Sequence, residues 1–146
     1  MLEKVELEEK ELSNYRTVVS DEAVDEILEL AEPLQGARVV HINATSFGGG
    51  VAEMLQTLVP LMRDAGLDAQ WRVIEGADEF FDVTKACHNG LQGMDVEFTD
   101  EMKDIWRRYN KMNAEAFSGD YDFIVIHDPQ PAGMRRYHEG GNEDAH

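Results

Sequence analysis

The run Ala37 to Asn43, ARVVHIN, is short, β-branched and almost wholly apolar, which is the pattern of a parallel strand covered on both faces. The segment Asp68 to Glu75, DAQWRVIE, alternates enough to be a second strand, and FIVIH, ending at His127, reads as a third buried one. Between them apolar positions recur at helical spacing. Ser20 is placed to cap a helix whose stripe is Val24, Ile27, Leu28, Ala31 and Leu34, with Pro33 and Gly36 marking its end. Val51, Met54, Leu55, Leu58, Val59 and Met62 predict a second helix stopped by Gly66. Pro60 lies inside it, where a missing amide predicts a kink or a late break. Residues 78–92 predict a short helix with Phe80, Thr84, Cys87 and Leu91 on one side and Lys85, His88, Asn89 and Gln92 on the other. Thr99 caps a long helix, with Asp100 and Glu101 in its first turn and a stripe of Met102, Ile105, Trp106, Tyr109, Met112 and Ala116.

Strand, helix, strand within about forty residues is a right-handed βαβ unit, so the fold class is α/β: a Rossmann-like parallel sheet flanked by helices. Residues 1–20 alternate weakly around Val5 and Leu7 and then turn polar, as an edge strand or a mobile arm would. Residues 21–134 form the Rossmann-like domain. Residues 135–146, from Arg135 onward, have no apolar period and are expected to be a disordered tail. A sheet of three strands is small for this class, and its last strand is left as an edge.

The chain has 146 residues, 30 Asp plus Glu against 13 Lys plus Arg, and a formal charge of −17. That surface repels phosphate chains and anionic lipid, which argues against nucleic-acid binding and membrane-surface attachment. The excess of carboxylates also fits a saline cytoplasm, where salt screens their repulsion. Cys87 is the one cysteine, so an intramolecular disulfide and a cysteine-rich zinc site are both excluded. No basic segment leads into an apolar stretch at the amino terminus and no run of 18 apolar residues occurs, so a cytoplasmic protein is expected.

Ligands of open parallel sheets bind beyond the carboxyl ends of the strands. Three polar clusters fall there: Asn43 to Gly50, Glu75 to Asp78, and His127 to Gln130. Gly48, Gly49 and Gly50 open directly into a helix, where free amides and the helix dipole favour an anion. The loop lacks the Lys-Ser/Thr pair of a P-loop and the spacing of a dinucleotide fingerprint, so both nucleotide readings fall. Its other reading is a tight turn that needs positive φ; Thr45 and Ser46 tip the balance towards a ligand loop. Asp128 is either a turn former before Pro129 or a carboxylate that accepts a hydrogen bond from a substrate hydroxyl, with His127 beside it as donor or acceptor. His88 and Asn89 read as surface residues on pattern alone, Trp71 and Trp106 as packing residues, and Cys87 as a packed small residue. No spacing resembles a metal site; Asp120-Tyr121-Asp122 precedes its strand.

The strings VVHINATSFGGGVAEML, WRVIEGADEFFDVTKACHNGLQG and FIVIHDPQPAG, in that order, resemble the amino-terminal part of glycosyltransferring trehalose synthases, retaining enzymes of the GT-B architecture. The resemblance spans roughly residues 10 to 134. It implies the amino-terminal, acceptor-side half of a GT-B fold, truncated, with a nucleoside-diphosphate glucose held mainly by a second domain. By it, Gly48, Gly49 and Gly50 approach the donor diphosphate and Asp128 is the catalytic-site aspartate that contacts sugar hydroxyls. His127, His88, Asn89 and Gln92 line the acceptor side. The implied reaction forms trehalose from nucleoside-diphosphate glucose and glucose, with no cofactor and no metal. The basic residues that neutralise the diphosphate belong to the other domain, so the chain is expected to be inactive without the donor-binding half; its expected partners are a separate donor-binding half or, alternatively, further copies of itself in a homo-oligomer. The alternative is a non-catalytic sugar- or nucleotide-binding module; a flavodoxin-like regulatory domain is disfavoured, since neither its acidic pocket nor its flavin loops are recognisable.

Overall fold

β2 (Arg38–Asn43) lies between β3 (Asp68–Val73) and β4 (Phe123–Ile126) and runs parallel to both, in a computed structural model that describes residues 1–138. The two-residue strand β1 (Glu3–Lys4) adds to the far side of β3 in the antiparallel sense, giving the sheet order β1-β3-β2-β4. The first residues are therefore an edge strand: Leu2 is buried, and Val5 and Leu7 pack against the core. With both faces of β2 covered, five of its six residues are buried.

α2 (Gly50–Asp64) packs on one face of the sheet, where Ala52, Leu55 and Val59 meet Val39, Ala69, Trp71 and Val73. Its helix runs on to Asp64, so the late break at Pro60 does not occur; Pro60 is buried and the following turn ends the helix at Gly66. α3 (Asp78–Leu91) and α4 (Asp100–Ala116) cover the other face, with Phe80, Ala114 and Phe117 packed on Val40 and Ile42. Helices on both faces of a largely parallel sheet make the Rossmann-like α/β layer.

Both expected caps form: the Ser20 hydroxyl accepts from the Ala23 amide and the Thr99 hydroxyl from the Met102 amide, each at 3.2 Å. Two stripes differ from expectation. On α1 (Asp21–Ala31) only Val24 and Ala31 are buried, against Leu12 and Ala65, because the helix packs mainly on the turns that flank it, residues 12–17 and 32–34, and on the end of α2; Ile27 and Leu28, and Leu34 in the turn that follows, stay exposed. On α4 the fully buried positions are Asn110, Asn113 and Ala114, while Met112 is exposed. The tail also departs from expectation at its start. Met134–Tyr137 forms a turn of helix, α5, anchored by buried Met134 and by the His138 amide donating to the Met134 carbonyl. Residues 139–146 of the expected tail lie outside the described residues.

At the amino ends of the strands, Arg38 accounts for the Asp-x-Asp pattern. Its guanidinium reaches Asp120 at 2.6 Å and Asp122 at 3.1 and 3.2 Å, and its amide donates to Asp122 at 2.8 Å. The ion pair holds the Asp122 carboxyl below its usual range. Those carboxylates fasten β4 to β2 at the rim opposite the polar clusters.

Candidate functional site

Because β2, β3 and β4 are parallel neighbours, the segments that follow them emerge on one rim. The His127 amide donates to the Ile42 carbonyl at 2.9 Å, which keeps the start of the third cluster in the ladder beside the end of β2. The glycine loop and Asp128 therefore share that rim.

The loop after β2 is organised from beneath by Trp71. Its Nε1–H donates to Asn43 Oδ1 at 2.7 Å, and Asn43 Nδ2 donates to the Thr45 carbonyl at 2.8 Å. The Thr45 hydroxyl in turn donates to the Phe47 carbonyl and accepts from the Phe47 amide. Gly48 and Gly49 have φ of 67° and 94°, which L side chains rarely adopt, and a Cβ on Gly48, Gly49 or Gly50 would meet nothing within 4 Å. Gly48 and Gly49 are thus required by the turn, and the space above all three glycines is open. No side chain caps α2 at Gly49, so the first amides of the helix face that space.

Asp128 is exposed and has φ of 66°, and no other non-glycine residue among those described has positive φ. Such a backbone costs of order 1 kcal/mol and needs support from its surroundings. α4 supplies it. Trp106 Nε1–H donates to the Pro129 carbonyl at 2.9 Å, Asn110 Nδ2 donates to the Gln130 carbonyl at 3.0 Å, and Pro131 is buried. Asn113, one turn further on, holds the backbone of Glu75 after β3.

His127 meets a residue that pattern reading absorbed into its strand. His41, in the middle of β2 between Trp71 and Val125, lies with its Nδ1 at 3.0 Å from His127 Nε2. Burial, and secondarily the neighbouring ring, push the His41 pKa down to about 4. Burial also lowers that of His127, against the opposing pull of the Asp128 charge. Both imidazoles are neutral at pH 7. The available signal was a lone histidine inside an otherwise apolar parallel strand.

His88, Asn89 and Gln92 are not gathered with Asp128 by any hydrogen bond among the described residues. Glu79, in the first turn of α3, pairs with Arg108 and Tyr109 of α4, and the two helices join through residues 92–99 as an antiparallel hairpin. His88 follows Glu79 by about 14 Å of helix rise, towards that turn. There His88 Nε2 and Gln92 Nε2 are 2.9 Å apart and both residues are exposed. Cys87 is partly buried on the same helix. Among the described residues no group of three or more His, Cys, Asp or Glu is arranged to hold a metal ion, and no helix is long and apolar enough to cross a membrane.

This α/β layer collects a glycine turn and a left-handed aspartate at its carboxyl rim, with His127 backed by His41 in the strand beneath, and that rim is where open α/β sheets generally bind ligands. The chain belongs to the trehalose synthase N-terminal domain family, whose model matches residues 41–144. It is similar to the trehalose synthase of Rubrobacter xylanophilus, at 51% identity over 146 residues that cover 98% of this chain and 35% of that protein. It is similar also to the trehalose synthase of Thermococcus litoralis, at 52% over 134 residues, 90% of this chain and 32% of that protein. The trehalose phosphorylase of Pleurotus pulmonarius is 29% identical over 137 residues, covering 85% of this chain and 18% of that one. The chain spans about a third of the length of these two trehalose synthases.

Proposed function

We propose that this chain is the acceptor-side portion of a retaining glucosyltransferase of the GT-B type that forms trehalose from nucleoside-diphosphate glucose and glucose. The observation that carries the reading is the placement of the open Gly48–Gly50 turn and the left-handed Asp128 on one rim of adjacent parallel strands. In this reading the amides at the start of α2 approach the donor diphosphate, Asp128 accepts from a sugar hydroxyl, and His127 takes a second one. His88, Asn89 and Gln92, at the end of the α3–α4 hairpin, line the acceptor side in the same reading. No cofactor and no metal enter.

Transfer breaks the bond between the anomeric carbon and the diphosphate and forms one from that carbon to an acceptor oxygen, with configuration retained. The leaving diphosphate needs positive charge, and such charge is worth most where it is fixed in place before reaction. The rim segments Asn43–Gly50, Glu75–Asp78 and His127–Gln130 contain no Lys or Arg. Turnover therefore requires a donor-binding half that brings the cations. The trehalose phosphorylase relatives raise phosphate as the alternative leaving group, and the same rim would serve either.

The test is calorimetric titration with glucose and with nucleoside-diphosphate glucose, together with a transfer assay. Both are run on the chain alone and on the chain mixed with the carboxyl-terminal portion of the Rubrobacter xylanophilus relative. The expected result is trehalose formation in the mixture only. Tight sugar or nucleotide binding by the chain alone, with no turnover in the mixture, would instead make it a non-catalytic binding module.

A further inference from the structure

His41 and His127 meet edge to edge. Their ring centroids are 5.3 Å apart with planes inclined by 18°, and the Nδ1 to Nε2 separation is 3.0 Å. Two imidazoles reach that centroid separation through such a contact when they lie end to end in nearly one plane, whereas stacked rings would bring their faces together. The contact is therefore an in-plane N–H···N hydrogen bond with one proton between two neutral rings.

Two arrangements satisfy that count. Either His41 Nδ1–H donates and His127 accepts at Nε2, or the roles are reversed. His41 is 4% exposed and its Nε2 is buried with no partner. The first arrangement leaves a bare lone pair at that buried atom, and the second leaves an N–H there. Orphaned buried N–H groups are rare in folded proteins, and a shortfall at an acceptor is better tolerated. His127 Nδ1 has no hydrogen-bond partner among the described residues, so a proton there is free to meet a ligand at the rim.

We propose that His41 is a positioning residue that holds His127 as its Nδ1–H tautomer, so that the rim presents a fixed N–H donor beside the Asp128 acceptor. Free histidine favours the other tautomer, with the proton on Nε2, so the assignment is diagnostic. The bare Nε2 of His41 ends the chain of hydrogen bonds, which excludes onward proton transfer and leaves His127 as a donor rather than a base. Resting on the sugar reading above, a donor and an acceptor on consecutive residues suit a vicinal diol. One hydroxyl oxygen accepts from His127 while its neighbour donates to Asp128.

The experiment is a long-range proton–nitrogen correlation spectrum of the ring nitrogens, recorded on the ¹⁵N-histidine-labelled chain at pH 7. His127 is expected to carry its proton on Nδ1, and so is His41. In His41→Phe, His127 is expected to revert to Nε2–H. In His41→Asn, whose side-chain amide can replace the lost donor, Nδ1–H is expected to persist. A wild-type His127 protonated on Nε2 overturns the proposal without any variant, and so does an unchanged tautomer in a folded His41→Phe. Titration with glucose, followed on the same resonances, reads the consequence: binding about tenfold weaker in His41→Phe and restored in His41→Asn. Absence of glucose binding in the wild type would count against the sugar reading alone, since the tautomer is decided by the spectrum.

Discussion

Asn113 pairs with the backbone of Glu75 as another strand would, its Oδ1 accepting from the amide and its Nδ2 donating to the carbonyl, each at 2.7 Å. Glu75 lies two residues beyond β3, where the ladder has ended, so a side chain of α4 completes what the sheet no longer supplies. Asn113→Ala leaves both groups without their partner and is expected to destabilise the fold by about 2 kcal/mol in urea unfolding. A change below about 0.5 kcal/mol would mean that water replaces the side chain at no cost.

Gly133 tests how closely the Asp128 segment must approach α4. Its φ of −80° suits any residue, but a methyl group there would lie 2.5 Å from Trp106 Cη2 and 3.0 Å from Asn110 Cγ. Gly133→Ala is expected to cost about 1–3 kcal/mol and to disturb the Trp106 bond to Pro129, seen as a shift of the Trp106 indole N–H resonance. An unshifted resonance at wild-type stability would show that the segment can move aside freely.

Asp128 separates stability from function. Glycine at this position removes a clash of about 1–2 kcal/mol and returns about 0.5–1 kcal/mol through the freer unfolded chain, so Asp128→Gly is expected to be more stable by about 0.5 kcal/mol. Asp128→Asn, which tolerates the same backbone, is expected to keep wild-type stability. Both variants are expected to abolish transfer in the assembled enzyme. Transfer at the wild-type rate in Asp128→Asn would remove the carboxylate from the proposed site.

His41 gives the fold a defined response to acid. Its folded pKa of about 4 lies below the ordinary value of 6.5, so above pH 6.5 it carries no penalty. As pH falls from about 6.5 to about 4 the unfolded chain takes up a proton that the folded chain refuses, and stability drops by about 3 kcal/mol in all. His127, lowered as well, adds in the same direction. In His41→Phe the stability curve over that window is expected to flatten by most of this amount. An equally steep fall in the variant would assign the acid response to other groups.

The three parallel strands were legible because each apolar run is bounded by turn residues, and the caps because Ser20 and Thr99 precede helical stripes. The common rim followed from parallel strands alone. The polar side chains that organise it did not. Asn110 and Asn113 directly follow the apolar positions Tyr109 and Met112, and only the fold shows that rim carbonyls and an amide point at them. His41 was masked by its neighbours in VVHIN, since its partner lies 86 residues away. The exposed half of the α1 stripe and the helical turn at Met134–Tyr137 depend on what each segment packs against, which local pattern does not specify.

The claim that this rim is half of a sugar-transfer pocket is tested most directly by an amide correlation spectrum of the chain titrated with glucose. The account predicts saturable shifts at His127 and Asp128, with Gly48 to Gly50 unmoved until nucleoside-diphosphate glucose and the donor-binding half are added. Shifts confined to residues away from these strand ends, or none up to saturating glucose in the assembled enzyme, would contradict it.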